Sequence, residues 1–248
     1  MQKWRRRRLF IMVLMVLLAA ALALLRGQNT RTMVVRKFEG RRTLEQRLTQ
    51  YGPAARARLK RDFARAGADY PPKKLTLVGL KQERELQVYA AGDDGDWRFV
   101  KSYPILGASG ELGPKLKYGD CQVPEGIYRV VFLNPNSSYH LSLRLNYPNA
   151  FDRAMAKRDG RTELGGDIMI HGSDVSIGCL AMGDEASEDL FVLGYDTRIV
   201  NMRVILSPVD FRARRLPREM PDVPAWTDDL YGRMASRLAE LPPAGDAR

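Results

Sequence analysis

Only two cysteines and two histidines occur among 248 residues, and this scarcity excludes several function classes. Structural zinc sites take four such ligands in closely spaced pairs. Cys121, His140, His171 and Cys179 are too scattered for that, so no metal and no other cofactor is expected. A disulfide framework is excluded too, because the cysteines can form at most one bridge, Cys121 to Cys179, in an oxidising compartment. Internal repeats and long low-complexity tracts are missing, and no nucleic-acid-binding motif is recognisable. The chain is long enough for one sizeable core plus extensions. Uninterrupted apolar runs are scarce as well, the longest being the 17 residues from Leu9 to Leu25.

What is present is mostly basic, with formal net charge +11. Lys3 and Arg5 to Arg8 stand directly before the apolar run and leave +6 on everything after them. Cations in that place orient a segment at a membrane with its N-terminus inside, which explains them better than nucleic acid does. A cleaved signal would end in small residues, as Ala21-Leu22-Ala23 does. A spanning helix needs at least about 17 apolar residues. Leu24 and Leu25 extend the run past the candidate cleavage point and favour an inner-membrane anchor through residues 9–25. Both readings export the remainder to the periplasm. The remaining positive excess suits either a carboxylate-rich wall polymer or an ordinary soluble surface.

Composition and period divide the chain into four parts: 1–26 signal peptide or membrane anchor, 27–72 tether and helical hairpin, 73–212 body, and 213–248 tail with one helix. Thr43 followed by Gln46 is a capping box, and Leu44, Leu48 and Tyr51 then recur at helical spacing. Gly52-Pro53 interrupts before Leu59, Phe63 and Ala66 continue an apolar face. Beyond Pro71-Pro72 the period shortens, and the body reads as α+β, mostly β, with peripheral helices. Strands are expected at 75–80, 86–90, 97–103, 127–133, 139–145, 168–170 and 198–206, with a turn at Asn134-Pro135-Asn136-Ser137. Helices are expected near 154–157 and 185–193, and another from Thr227, where Asp228 and Asp229 suit the first turn.

The chemistry concentrates in IMIHGSDVSIGCLAMGD, residues 168–184. A thiol attacks only as thiolate, and a neighbouring imidazole is the usual device for making one. His171 and Cys179 are therefore the candidate base and nucleophile. The Gly172 carbonyl can accept a ring N–H and fix the tautomer, and Ser176 can hold the turn before the cysteine. Gly178 frees the backbone so that the amides of Ile177, Gly178 and Cys179 can converge on an oxyanion. Arg144, Asn146 and Tyr147 are candidates for substrate binding, Arg144 because a guanidinium suits a carboxylate. His140, inside the strand-like YHLSLRL, reads as structural. Taken singly, His171 and Cys179 could equally be core residues; together with the Ser-x-Gly-Cys turn they point to catalysis.

His171-Gly172, Ser176-x-Gly178-Cys179 and the following Met182 resemble the signature of the YkuD-type L,D-transpeptidases. The resemblance extends over residues 73–212 and includes GDCQVPEGIYRV and MRVILSPVDFR. It is nearest to the YafK-like branch, which shares the short loop between His171 and Cys179. It implies a β-sandwich-type catalytic domain that acts on peptidoglycan stem peptides through an acyl-enzyme on Cys179. Most of the family carries Arg two residues after the cysteine, where this chain has Ala181. The acyl group can therefore pass to an amine, as in transpeptidation, or to water, as in an amidase or endopeptidase cleaving a stem or a wall-attached-protein linkage. A non-catalytic wall-binding module is the reading from another class.

Overall fold

At Thr43 the chain becomes regular: its hydroxyl accepts the Gln46 amide at 3.2 Å, and Gln46 Oε1 accepts the Thr43 amide at 2.9 Å. The computed structural model describes residues 40–217 and 221–245. The expected signal or anchor at 1–26 lies outside the described residues. Helix α1 (Leu44–Arg65) is one 22-residue helix with Pro53 inside it, where Gly52-Pro53 is expected to separate two. An interior proline costs about 3 kcal/mol. Tertiary contacts on both sides of it offset that cost. Leu59 and Phe63 are fully buried, Arg56 grips Asp196 through Nε and Nη2 at 2.8 and 2.7 Å, and Arg58 Nε donates to Asp189 at 2.9 Å.

Eight strands follow: β1 (Lys74–Leu80), β2 (Glu85–Ala91), β3 (Trp97–Pro104), β4 (Gly126–Ser137), β5 (His140–Leu145), β6 (Met169–His171), β7 (Leu180–Ala181) and β8 (Met202–Ser207). Helices α2 (Ala150–Arg158), α3 (Asp184–Thr197) and α4 (Thr227–Leu238) complete the elements. All eight strands join one open mixed sheet in the order β3-β2-β1-β8-β4-β5-β6-β7. This corrects the expected β-sandwich. A sandwich covers a sheet with a second sheet, whereas here helices cover both faces. Leu75 and Leu77 of β1 share a core with Leu59 and Phe63 of α1 and Leu190 and Leu193 of α3. Val78 and Leu80, on the opposite face, pack with Leu230, Met234 and Leu238 of α4. Buried on both faces, β1 and β8 carry nearly continuous apolar runs, as central strands do.

Anchoring through residues 9–25 gains no support from the structure, and that segment lies outside the described residues. Among the described residues no helix is long and apolar enough to cross a membrane. The longest, α1, has the length but presents Arg56, Arg58, Lys60, Arg61 and Asp62, whose desolvation a bilayer would oppose. The turn expected at Asn134-Pro135 is also absent, since β4 runs through it to Ser137 with a shift in register. Contacts with α1 hold it extended: Arg47 Nε donates to the Pro135 carbonyl at 3.0 Å, and Asn136 exchanges hydrogen bonds with the Arg42 backbone.

Candidate active site

Register places the two candidate residues side by side. β6 lies between β5 and β7, pairing Ser142 with His171 and Arg144 with Met169 on one side, and His171 with Ala181 on the other. Continuing the β6–β7 register back by one residue sets Cys179 beside Met169. The Met169 amide accordingly donates to Cys179 Sγ at 3.4 Å. Met169 and His171 project to the same face, away from the core that takes Ile170 and Leu180. Cys179 and His171 are therefore diagonal neighbours, with Cα atoms about 8 Å apart for strand spacings near 4.8 Å and a rise near 3.3 Å.

His171 is buried, with its ring stacked on Tyr139 at a centroid distance of 4.8 Å. Nδ1–H donates to the Gly172 carbonyl at 2.6 Å, which leaves Nε2 as the unprotonated nitrogen of a neutral ring. Among the described residues no hydrogen bond joins Cys179 to that ring; the thiol instead donates to the Asp167 carbonyl at 3.7 Å. Burial pulls the His171 pKa below its ordinary 6.5, with the Gly172 carbonyl opposing. Burial also pushes the thiol above its ordinary 9.0, partly opposed by the Met169 amide. Both shifts favour a neutral thiol and a neutral imidazole. That state fits general-base activation during attack rather than a preformed ion pair.

The turn before Cys179 is fastened by two hydroxyls. Ser176 Oγ accepts the Cys179 amide at 2.9 Å and donates to the Cys179 carbonyl at 2.6 Å. Ser109 Oγ accepts the Gly178 amide at 2.6 Å and donates to the Cys121 carbonyl. Two of the three amides expected to bind an oxyanion are thus already donating, so a developing oxyanion would compete with Ser109 and Ser176 for them. Gly178 has φ +88°, a value that strains any side chain. Ser109 and Tyr139 are the contacts sequence reasoning missed. Neither lies near the motif in the chain, and no spacing rule leads to them.

Comparisons with known proteins assign the domain to a family. The model of the YkuD L,D-transpeptidase catalytic domain matches residues 75–201, just over half of the chain. The chain belongs to the YkuD family. Over 114 residues it is 39% identical to YafK of Escherichia coli (strain K12), provisionally called an L,D-transpeptidase, a match covering 45% of this chain and 44% of that relative. YafK of Escherichia coli O157:H7 matches to the same extent. The match thus spans less than half of those relatives' length. The solved helical cell shape determining protein Pgp2 from Campylobacter jejuni is 22% identical, covering 55% of this chain and 48% of its own, with a TM-score of 0.43.

Within this YkuD domain the remaining candidates separate. Arg144 shares the face of Met169 and Cys179, with its guanidinium 3.5 Å from Asp167 and over the Phe132 ring. Asn146 instead accepts the Arg129 amide at 2.8 Å. Tyr147 is buried, and its hydroxyl donates to the Leu164 carbonyl at 3.2 Å. His140 bonds Glu188 at 2.9 Å and meets Tyr51 edge-on, a structural role. Cys121 is exposed and its thiol is free. Among the described residues no cluster of His, Cys, Asp and Glu could hold a metal.

A pH prediction follows for this YkuD site. The His171 pKa is lowered, so the ring stays neutral until the pH falls below its ordinary 6.5. The acid limb of kcat/KM should lie below that value. Because the Cys179 pKa is raised, iodoacetamide alkylation should be slow at pH 7 and climb only above 9.0. Rapid alkylation already at pH 6 to 7, level with further increase, would reveal a thiolate–imidazolium pair instead.

Proposed function

We propose that this protein is an exported cysteine acyltransferase that acts on peptidoglycan stem peptides through an acyl-enzyme on Cys179. The observation that carries it is the shared face of Cys179 and His171, with Nδ1 tied to Gly172 and Nε2 left as base. YkuD membership supports the wall substrate at family level. In the first half-reaction Cys179 Sγ attacks a stem carbonyl while His171 Nε2 takes the thiol proton. The tetrahedral intermediate collapses, the C–N bond breaks, and His171 returns that proton to the leaving amine. In the second half-reaction His171 deprotonates an amine or a water, which attacks the thioester and releases Cys179.

Which acceptor prevails turns on position 181. Ala181 is fully buried, pairing with His171 on one side and bridging Gly107 on the other. A methyl there offers no guanidinium to orient an acceptor stem, and a loosely held acceptor loses much of its proximity advantage over water. Transpeptidation and hydrolysis therefore stand at nearly equal weight, the latter on a stem or on a wall-attached-protein linkage. Mass spectrometry after incubating donor stem, amine acceptor and enzyme decides between them. A mass increment on Cys179 is expected in both cases. Predominant cross-linked product removes the hydrolase reading, and free product without cross-link removes the synthetic one. No increment on Cys179 under turnover overturns the acyl-enzyme.

A further inference from the structure

One face of the sheet carries a row of cations that ends at the proposed nucleophile. On β4, Arg129 pairs with Arg203 of β8. Both point away from the core that takes their neighbours Val130, Met202 and Val204. Lys74 of β1 precedes the core residue Leu75, itself opposite Met202, and so lies on this same outward face. Arg144 of β5 pairs with Met169, beside which Cys179 stands. Strand order makes the row continuous, since β1, β8, β4, β5 and β6 are successive neighbours. Lys74, Arg203, Arg129 and Arg144 therefore sit on successive strands; His171 follows on β6, and Cys179 stands just ahead of β7.

The row is built into a groove for most of its length. Lys74, Arg129, Arg203 and Asn146 line an open groove of about 620 Å³, with no carboxylate residue among its lining. Among the described residues Lys74 and Arg129 have no acidic partner. Arg203 faces only the solvated Glu240 at 3.3 Å, and Arg144 only the exposed Asp167 at 3.5 Å. Cations that outnumber carboxylates on a concave surface raise the local concentration of anions.

We infer that this groove holds the distal part of an extended, carboxylate-bearing chain whose reacting carbonyl lies at Cys179. The inference rests on the acyl-enzyme reading and adds to it the length and charge of the substrate. Four inter-strand steps of about 4.8 Å separate Lys74 from the strand of His171, a span of roughly 20 Å. An extended peptide covers that span with about six residues, more than a short single fragment supplies. The preferred substrate is accordingly wall polymer, or a peptide with several carboxylates, and short fragments fill only the Cys179 end.

Sedimentation with purified wall sacculi tests this, using the full chain with Cys179→Ser to prevent turnover. Poly-L-glutamate and a short single-stem fragment serve as soluble ligands, and duplex DNA as the phosphate polymer. The parent should bind sacculi and poly-L-glutamate more tightly than the fragment, with an affinity that falls as salt rises. Lys74→Gln with Arg129→Gln should weaken polymer binding roughly ten-fold and close most of the gap between polymer and fragment. Arg61→Gln with Arg65→Gln removes the same charge on the exposed side of α1, away from the groove, and should leave polymer binding within about two-fold. Equal losses in the two double variants, no preference of the parent for polymer, or tighter binding to DNA than to poly-L-glutamate would each overturn the groove. Turnover of the short fragment by protein with Cys179 intact reports separately on the acyl-enzyme reading, so failure of one does not mimic failure of the other.

Discussion

Cys179→Ala should reduce the rate of stem-peptide turnover by roughly four to six orders of magnitude, the scale seen when a covalent nucleophile is removed. Cys121→Ala should leave most of it. The asymmetry rests on placement. Cys179 has the Met169 amide on its sulfur and shares a face with His171. Cys121 sits exposed in a loop at φ +55°, its thiol reaching only the Gly119 carbonyl at 3.5 Å. Product release measured on both variants, each checked for a native circular dichroism spectrum, decides the matter. Activity lost in Cys121→Ala and kept in Cys179→Ala would reverse the assignment.

Gly172→Ala should be the most damaging single-methyl addition around the site. A Cβ there would stand 2.6 Å from Asp184 Oδ1, 2.8 Å from His140 Cβ and 2.9 Å from Ser187 Oγ. Side chain and backbone must shift to admit it, at a cost of about 2 kcal/mol, which lowers Tm by roughly 6 °C in a domain of this size. The same shift moves the carbonyl that holds His171 Nδ1 at 2.6 Å, so activity should fall further than stability alone explains. Denaturant midpoints and kcat/KM measured on one preparation would show both effects. An unchanged midpoint with full activity would mean that the close approach of α3 to Gly172 is dispensable. The glycine is thus needed for lack of space, whereas sequence reasoning credits it chiefly with the carbonyl.

Much of the local structure was legible before any coordinates. The Thr43/Gln46 capping box is formed as its spacing requires. Short apolar runs bounded by turn residues mark β1, β2 and β3 to within about a residue. The strand delivering His171 and the serine-fastened turn before Cys179 are equally local, and the motif implies both. The tail helix is present from Thr227, although Thr227 is a buried first-turn residue and caps nothing. Helix α2 runs over Ala150–Arg158, longer than the expected 154–157, because Asn149 and Asp152 form a capping box hidden within a polar stretch.

What the sequence by itself determined is therefore whatever depends on residues within a turn or a strand of one another: caps, periods, the glycine at Gly178, and the serine-held turn before Cys179. Tertiary structure decided the rest. The parallel pairing of β1 with β8 joins residues more than a hundred positions apart, and together with the antiparallel pairing of β8 with β4 it turns a set of strands into one open sheet. Packing against α3 keeps α1 continuous through Pro53. Ser109, Tyr139 and Arg144 reach the site only because β4, β5 and the loop before them fold beside β6 and β7. Local propensities act over a few residues and cost little to read. Long-range pairing is selected by the burial of both sheet faces, a property of the whole chain that no single segment carries.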